Sequence, residues 1–288
     1  MGKLRDLMDR DLQIRGYSAG TRYQYLSCVT AYVRHFMKPP DQLTLEHVNQ
    51  YQLHLTQDRK VDWQTFNVHV CAVRFFYKVT LHRDWDLHRI PYQKSRRKLP
   101  EVLSTQEVRA LLEAPSNLKH RALLATLYAG GLRASEVTHL RIKDVDSQRM
   151  TLRIEQGKGG KDRYVPLSVR LLAMLREYWK AKRPQTWLFP GQDAQKPLSC
   201  KCLGKICARA RKAAGILKPA HPHTLRHSFA THLLESGVNI LVVKKLLGHR
   251  SLRTTEIYLH VAKTYLEDTP SPLDLLPDLK NALVAGKG

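Results

Sequence analysis

A chain of 288 residues is long enough for about two domains. Its 48 Lys and Arg residues against 25 Asp and Glu residues give a formal net charge of +23, which favours a polyanionic partner such as nucleic acid, although a basic surface that only serves solubility stays open. Its 43% hydrophobic and 25% charged residues are ordinary for a folded protein, so disorder and a collagen-like structure are excluded for the chain as a whole. Its charge-free stretches are too short for a membrane span.

The first ninety residues predict four helices joined by short turns, of which Thr44 can cap the third and Asp62 the fourth. Apolar and aromatic residues repeat at helical spacing in each helix and would form its inward face. They are Leu4, Leu7, Met8 and Leu12; Tyr25, Val29, Tyr32, Val33 and Phe36; Leu45, Val48 and Leu55; and Phe66, Val70, Val73 and Tyr77. Such helices can form a small bundle, and core packing is favoured over base stacking for the aromatic residues.

A basic segment bracketed by prolines, residues 91–100, follows this bundle. Its composition is typical of a linker, and its charge would suit a path along a phosphate backbone, although a plain solvated linker fits equally well. We therefore predict a first domain over residues 1–93, a basic linker over 94–100 and a second domain over 101–288.

The second domain is predicted to be mainly α-helical with a small β-sheet. It begins with a capping box from Ser104 to Glu107, and an apolar helix over residues 121–129 ends at Gly130-Gly131. Residues 150–154 and 164–167 alternate like strands around a glycine-rich turn, which predicts a β-hairpin. This turn is no phosphate loop, because no Ser/Thr and no helix follow its lysine. The hairpin would instead carry Lys158 outward, as if into a groove.

Histidines and an arginine gather in the segment His221-Pro-His223-Thr-Leu-Arg226-His227. His223 and Arg226 would share one helix face, where a guanidinium can hold two phosphate oxygens while an imidazole moves a proton. A metal site at His223 and His227 is a weaker alternative, since no carboxylate is near in sequence and Arg226 adds positive charge.

Other candidate residues carry little information singly. Arg133 lies in Gly-Leu-Arg-Ala-Ser-Glu, where Glu136 could orient it or could be a solvated acid. Gly248-His249 ends a helical run, and Tyr258, between two apolar residues, has the pattern of a core tyrosine.

Taken together and in order, these motifs resemble the tyrosine recombinase (phage integrase) family, in its Xer-like and integron-integrase-like branches. The motifs are GLRASE, GKGGKDRYVPL, HPHTLRHSFATHLLESG and LGHRSLRTTEIYLHV. The resemblance covers nearly the whole chain and implies a helical, SAM-like core-binding domain followed by an α+β catalytic domain. It implies a site-specific recombinase that cleaves and rejoins double-stranded DNA.

The resemblance also implies a role for each motif residue. Tyr258 would attack the scissile phosphate to give a 3′-phosphotyrosyl link, while Arg133 and Arg226 would hold the non-bridging oxygens. The remaining roles concern protons and hydrogen bonds. Lys158 would protonate the departing 5′-oxygen, His223 would be the general base for Tyr258, and His249 would donate to the phosphate.

The same resemblance implies neither metal nor cofactor, and strand exchange through a Holliday junction by a dimer on each site and a tetramer in the synapse. The acidic, leucine-containing tail, residues 267–288, would dock on a neighbouring protomer or fold back on its own domain. The five cysteines suggest thiols in a reducing cytoplasm, and the charged N-terminus lacks the apolar core of a signal peptide.

Two alternatives stay open from the sequence. A type IB topoisomerase would use the same chemistry without synapsis, but the short helical first domain and the acidic tail argue against it. A non-catalytic DNA-binding regulator would have lost part of the site, whereas all six candidate residues are present.

Overall fold

The computed structural model describes residues 2–94, 99–155, 162–259 and 261. The chain divides into two units, Met1–Lys98 and Leu99–Gly288, and each has its own hydrophobic core. Residues 95–98 of the predicted linker, 94–100, lie outside the described residues. Lys158 and the whole tail at 267–288 also lie outside them.

The first unit is built from the four helices that the sequence predicts. They are α1 (Gly2–Ile14), α2 (Ala19–Phe36), α3 (Leu45–Gln57) and α4 (Trp63–Phe75), the last continued by a π-helical turn over Phe76–Thr80. The predicted cap at Asp62 is confirmed, since its carboxylate accepts the backbone N–H groups of Gln64 and Thr65 at 2.9 Å each.

Aromatic residues form the centre of this first unit. Tyr32 and Tyr77 are both 0% exposed, and their hydroxyl groups lie 3.1 Å apart. Tyr77 also donates to the carbonyl of Pro40 at 3.2 Å. Because each buried hydroxyl has a partner, the rings can pack in the core without leaving a polar group unsatisfied. The prediction of core packing for these tyrosines is confirmed.

The second unit combines short helices with one small sheet, as expected. Its elements are α5 (Thr105–Glu113), α6 (Leu118–Ala129), α7 (Ala134–Thr138), β1 (Val145–Asp146), β2 (Thr151–Ile154), β3 (Arg163–Pro166), α8 (Val169–Lys182), α9 (Cys200–Ala213), α10 (Pro222–Glu235) and α11 (Ile240–Leu247). Short 3₁₀ turns follow at Leu252–Thr254 and Glu256–Tyr258. The sheet is antiparallel, in the order β1-β2-β3.

The predicted hairpin is confirmed at its two strands. Leu152 pairs with Val165 across β2 and β3, and both side chains are buried. Arg163 lies on the same face of β3 as Val165, because side chains two apart on a strand point the same way. The strand therefore turns a charged side chain toward the interior of the unit.

Helix α10 is fixed to the start of the second unit and to α6. The backbone N–H of Leu103 donates to Ser228 Oγ at 2.9 Å, and its carbonyl is 2.9 Å from His232 Nε2. The other ring nitrogen of His232 shares a 2.8 Å hydrogen bond with the hydroxyl of Tyr128 in α6. The helix that carries His223 and Arg226 is thereby held at several points.

The five cysteines are free thiols, in agreement with the sequence analysis. In the described part of the chain, no helix combines the length and the apolar character that a membrane span requires.

Candidate active site

Glu136 lies at the centre of a buried cluster of arginines. Its side chain is 5% exposed, and Oε1 accepts hydrogen bonds from Nη1 of Arg133 at 2.6 Å and from Nη1 of Arg163 at 2.8 Å. Oε2 accepts the backbone N–H of Arg133 at 2.8 Å and Nη2 of Arg163 at 2.7 Å. Burial by itself raises the pKa of Glu136, but these hydrogen bonds and charges prevail and hold the pKa at about 2. Glu136 is therefore not a solvated acid, and it contacts both the side chain and the backbone of Arg133.

Three successive carbonyl groups at the C-terminal end of α11 each accept a hydrogen bond from an arginine. The pairs are Leu246 with Arg163 Nε (2.8 Å), Leu247 with Arg226 Nη2 (2.6 Å) and Gly248 with Arg133 Nη2 (3.3 Å). Carbonyl groups in the last turn of a helix lack helical partners and carry the negative end of its dipole. The arginines satisfy these carbonyls, and the carbonyls fix the directions of the three guanidinium groups.

Arg226 is almost completely buried, at 3% exposure. Its Nη1 donates to the carbonyl of Gly131 at 2.6 Å and lies 3.8 Å from Glu136 Oε2. Gly131 has a φ of 55°, and a Cβ there would overlap the ring of Phe229, so only glycine fits. Burial and the charge of Arg133 lower the pKa of Arg226 to about 10, and the group stays charged at neutral pH.

The cluster keeps an excess of positive charge, since three guanidinium groups face the one carboxylate of Glu136. Such fixed donors in a site with little water stabilise an anion far more strongly than they would in bulk water. Such a cluster is chemically suited to the non-bridging oxygens of a phosphodiester.

Tyr258 lies beside this cluster, on the last 3₁₀ turn, and is 2% exposed. Its hydroxyl and Nδ1 of His227 share a hydrogen bond of 2.9 Å. Burial raises the pKa of Tyr258, while the charges of Arg226 and Arg133 oppose that increase. The hydroxyl is therefore protonated at rest, with a proton acceptor and two cations near it.

The two histidines that flank Tyr258 are uncharged at neutral pH. Burial and neighbouring positive charges lower the pKa of His227 to about 4 and that of His249 to about 4. The ring of His249 is stacked on that of Tyr258, with centroids 6.4 Å apart, and its Nδ1 shares a 3.0 Å hydrogen bond with Thr255 Oγ1. This leaves Nε2 of His249 to meet a ligand.

His223 lies one turn before His227 on α10, and the two rings are stacked with centroids 6.4 Å apart. Burial and nearby charges lower its pKa as well. Tyr258, however, shares its hydrogen bond with His227 and not with His223, the residue to which the resemblance gives the role of proton acceptor. Lys158 lies outside the described residues.

The structure thus places Arg133, Arg226, His249 and Tyr258 in one part of the second unit, with His223 next to His227. Sequence reasoning missed the part played by Arg163 and the contact of His227. A signal for Arg163 existed, because it occupies an inward position of a strand, and a buried charge requires a partner. The contact of His227 had no such signal, since it depends on how the last turn packs on α10.

Among the residues that the structure describes, no group of three or more His, Cys, Asp or Glu side chains could hold a metal ion. The histidines near Tyr258 instead face arginine side chains and a tyrosine hydroxyl.

Comparison with known proteins gives matches along most of the chain. Residues 101–264 match the Phage integrase family, and residues 4–87 match the phage integrase N-terminal SAM-like domain. The chain is 46% identical over 278 residues to the integrase/recombinase y4qK of Sinorhizobium fredii, covering 96% of this chain and 90% of that protein. It is 34% identical over 275 residues to the tyrosine recombinase XerD of Oceanobacillus iheyensis, covering 88% and 92%.

The fold is also shared with a solved structure. A crystal structure of a lambda integrase dimer bound to a COC′ core site superposes with a TM-score of 0.74, covering 94% of this chain and 99% of that chain, at 18% identity.

Proposed function

The chain belongs to the phage integrase family of tyrosine recombinases, and we propose that it cleaves and rejoins DNA at a specific recombination site through a tyrosine-linked intermediate. The observation that carries this proposal is the environment of Tyr258. Its hydroxyl is bonded to the neutral imidazole of His227 and lies beside the charges of Arg226 and Arg133. A candidate nucleophile, a proton acceptor and two cationic groups that can bind a phosphate thus lie close together.

In the cleavage step, Oη of Tyr258 attacks the phosphorus of the scissile phosphodiester. The bond between phosphorus and the 5′-oxygen breaks, and a 3′-phosphotyrosyl link forms. The proton of the hydroxyl passes to an imidazole, and the departing 5′-oxygen takes a proton from Lys158. Arg133 and Arg226 stabilise the charge that builds up on the non-bridging oxygens.

The geometry favours His227 as the imidazole that receives the tyrosine proton, because it already bonds the hydroxyl and is neutral at physiological pH. His223, stacked beside it, is the other candidate for this role. His249 donates from Nε2 to a non-bridging oxygen, with its ring orientation set by the bond to Thr255.

Rejoining needs no nucleotide, because the phosphotyrosyl bond keeps the energy of the broken linkage. A 5′-hydroxyl from the partner duplex attacks this bond and releases Tyr258, so that strands are exchanged in pairs through a Holliday junction. We propose a dimer on each site and a tetramer in the synapse, by analogy with the lambda integrase dimer on its core site. The tail over residues 267–288 would dock on the neighbouring protomer.

The cellular setting follows from the same reasoning. The matched relative in Sinorhizobium fredii is named an integrase/recombinase, and we propose that this chain acts on a site of a mobile element. Five free thiols suit the reducing cytoplasm, where such DNA lies. The topoisomerase alternative is less favoured, since the matched proteins are named integrases and recombinases.

The test uses duplexes tiled from the DNA that flanks the gene, each nicked near a candidate phosphate so that the freed fragment diffuses away. The wild-type protein should form a denaturant-resistant adduct on one of them, and Tyr258→Phe should bind the same duplex without forming it. Tyr178→Phe is the matched control, because it removes a hydroxyl from another buried tyrosine, in α8.

Two outcomes would contradict the proposal. Binding without any adduct by the wild-type protein would indicate a non-catalytic DNA-binding protein. Relaxation of plasmids that lack the adduct-forming sequence would indicate a topoisomerase.

A further inference from the structure

Arg163 is a charged residue in an inward position of β3, and its side chain is 10% exposed. Its guanidinium lies between the carboxylate of Glu136 and the last turn of α11. A charge placed so deeply is costly unless all its donors are used, which makes its partners informative.

Each nitrogen of this guanidinium binds the protein itself. Nη1 and Nη2 donate to the two oxygens of Glu136 at 2.8 and 2.7 Å, and Nε donates to the carbonyl of Leu246 at 2.8 Å. The side chains of Arg133 and Arg226 make fewer such contacts with Glu136, and their charges act to lower the pKa of Tyr258. Arg163 therefore has the contacts of a residue that holds other groups in place.

The groups that it holds are parts of the active site. Glu136 accepts hydrogen bonds from Arg163 at both carboxylate oxygens. The same carboxylate binds Nη1 and the backbone N–H of Arg133. Leu246 begins the turn that leads through Gly248 to His249. Gly248 has a φ of 63°, and a Cβ there would lie 3.2 Å from Cδ of Arg163, so the glycine gives the arginine room to pass.

The position of Arg163 in the sequence adds a third link. It begins β3 and lies five positions after Lys158 in the sequence. One side chain thus ties the start of β3 to Glu136 and to the end of α11.

We propose that Arg163 is a positioning residue for the cleavage step, which sets the orientation of Arg133 through Glu136 and fixes the turn that carries His249. This inference rests on the proposed recombinase function. A lysine cannot replace this residue, because one ammonium group cannot reach both carboxylate oxygens and the Leu246 carbonyl in the fixed directions of a guanidinium.

The experiment measures single-turnover formation of the covalent adduct on the nicked duplex by the full chain. The rate constant reports how well the site is arranged, whereas the amplitude reports the fraction of protein that is folded and active. Arg163→Lys keeps the positive charge and should keep most of the amplitude, while its rate constant should fall by roughly 10- to 100-fold. Arg163→Gln should lower both.

Two further variants serve as controls. Arg153→Gln removes an arginine from the adjacent strand and changes the net charge by as much as Arg163→Gln does. The side chain of Arg153 is 41% exposed and pairs with Asp162. The rate constant of this variant should therefore stay within about threefold of the wild-type value. In a Glu136→Gln background, Arg163→Lys should lower the rate constant by less than about threefold further, because the two residues act as one unit.

The outcomes separate the inference from the function on which it rests. An Arg163→Lys rate constant equal to that of the wild type shows that only charge matters and overturns the inference. A loss of amplitude alone assigns Arg163 to folding and overturns it as well. Absence of the adduct with the wild-type protein itself would refute the proposed function, and the inference would fall with it.

Discussion

The phenolic oxygen of Tyr258 and Nδ1 of His227 lie 2.9 Å apart, within one hydrogen bond. Since the pKa of His227 is lowered to about 4, this nitrogen carries no positive charge at neutral pH and can accept the phenolic proton. The proposed nucleophile and its proposed proton acceptor are therefore adjacent in the DNA-free chain.

His227→Gln should lower the rate constant of adduct formation by roughly 10²–10⁴-fold, the usual contribution of a general base. His223→Gln should have a smaller effect, because His223 contacts the ring of His227 and not the hydroxyl of Tyr258. Single-turnover assays on the nicked duplex compare the two variants, with binding measured in parallel. The opposite order of effects would return the role to His223.

Glu136→Gln should destabilise the second unit by about 3–5 kcal/mol, because it leaves buried arginines without their carboxylate. Glu155→Gln is the matched control: it removes a more exposed carboxylate that pairs with Arg153, and should cost about 1 kcal/mol or less. Urea unfolding of the DNA-free chain measures both. Equal losses would mean that the buried cluster contributes no more than a surface ion pair.

The stability of the second unit should fall as the pH is lowered from 6.5 toward 4. His227 and His249 have folded-state pKa values of about 4, below the ordinary value of 6.5. Between pH 6.5 and 4 the unfolded chain therefore binds more protons at these histidines than the folded chain does, which favours unfolding. Each kcal/mol lost lowers Tm by roughly 2–4 °C for a unit of this size. Thermal unfolding at several pH values should show a flatter profile for His249→Gln, and an unchanged profile would contradict the lowered pKa.

Cleavage should persist in excess EDTA, because the positive charge around the phosphate comes from Arg133, Arg226 and the expected Lys158. Adduct yields with and without the chelator give the comparison. Complete loss of adduct that only a divalent ion restores would support the alternative of a metal site at the histidines.

Truncation after Leu266 should leave the binding of one protomer to a half-site intact, since the tail at 267–288 follows the proposed catalytic residues. Cooperative filling of a full site should weaken, and recombination should fall more than cleavage. Gel-shift titrations on half and full sites, at one salt concentration because phosphate contacts are salt-sensitive, measure this. Unchanged cooperativity would show that the tail serves its own protomer.

Local features of the fold could be predicted from the sequence with good success. The caps at Asp62 and Ser104, the end of α11 at Gly248 and the pairing of Leu152 with Val165 depend on neighbouring residues or on strict alternation. The strand β1 was not predicted, because its two residues, Val145 and Asp146, are too few to show the alternation of a strand.

Long-range polar contacts were harder to predict. Glu136 in the sequence is compatible with a solvated surface acid, and only the folded chain shows that Arg163, 27 residues away, binds both its oxygens. The contact of Tyr258 with His227, and not with His223, was hard to predict for a similar reason. A shift of one helical turn along α10 decides the contact, and helical periodicity does not resolve it.

The cluster around Glu136 also bears on how the chain folds. It joins segments that are up to 115 residues apart, as the bond from Arg133 to Gly248 shows. Intermediates that bury these arginines before the carboxylate and the end of α11 are in place would carry uncompensated charge and be high in energy. The second unit should then gain the groups that we propose to bind phosphate in one cooperative step, so that a half-folded chain would have no means of breaking DNA.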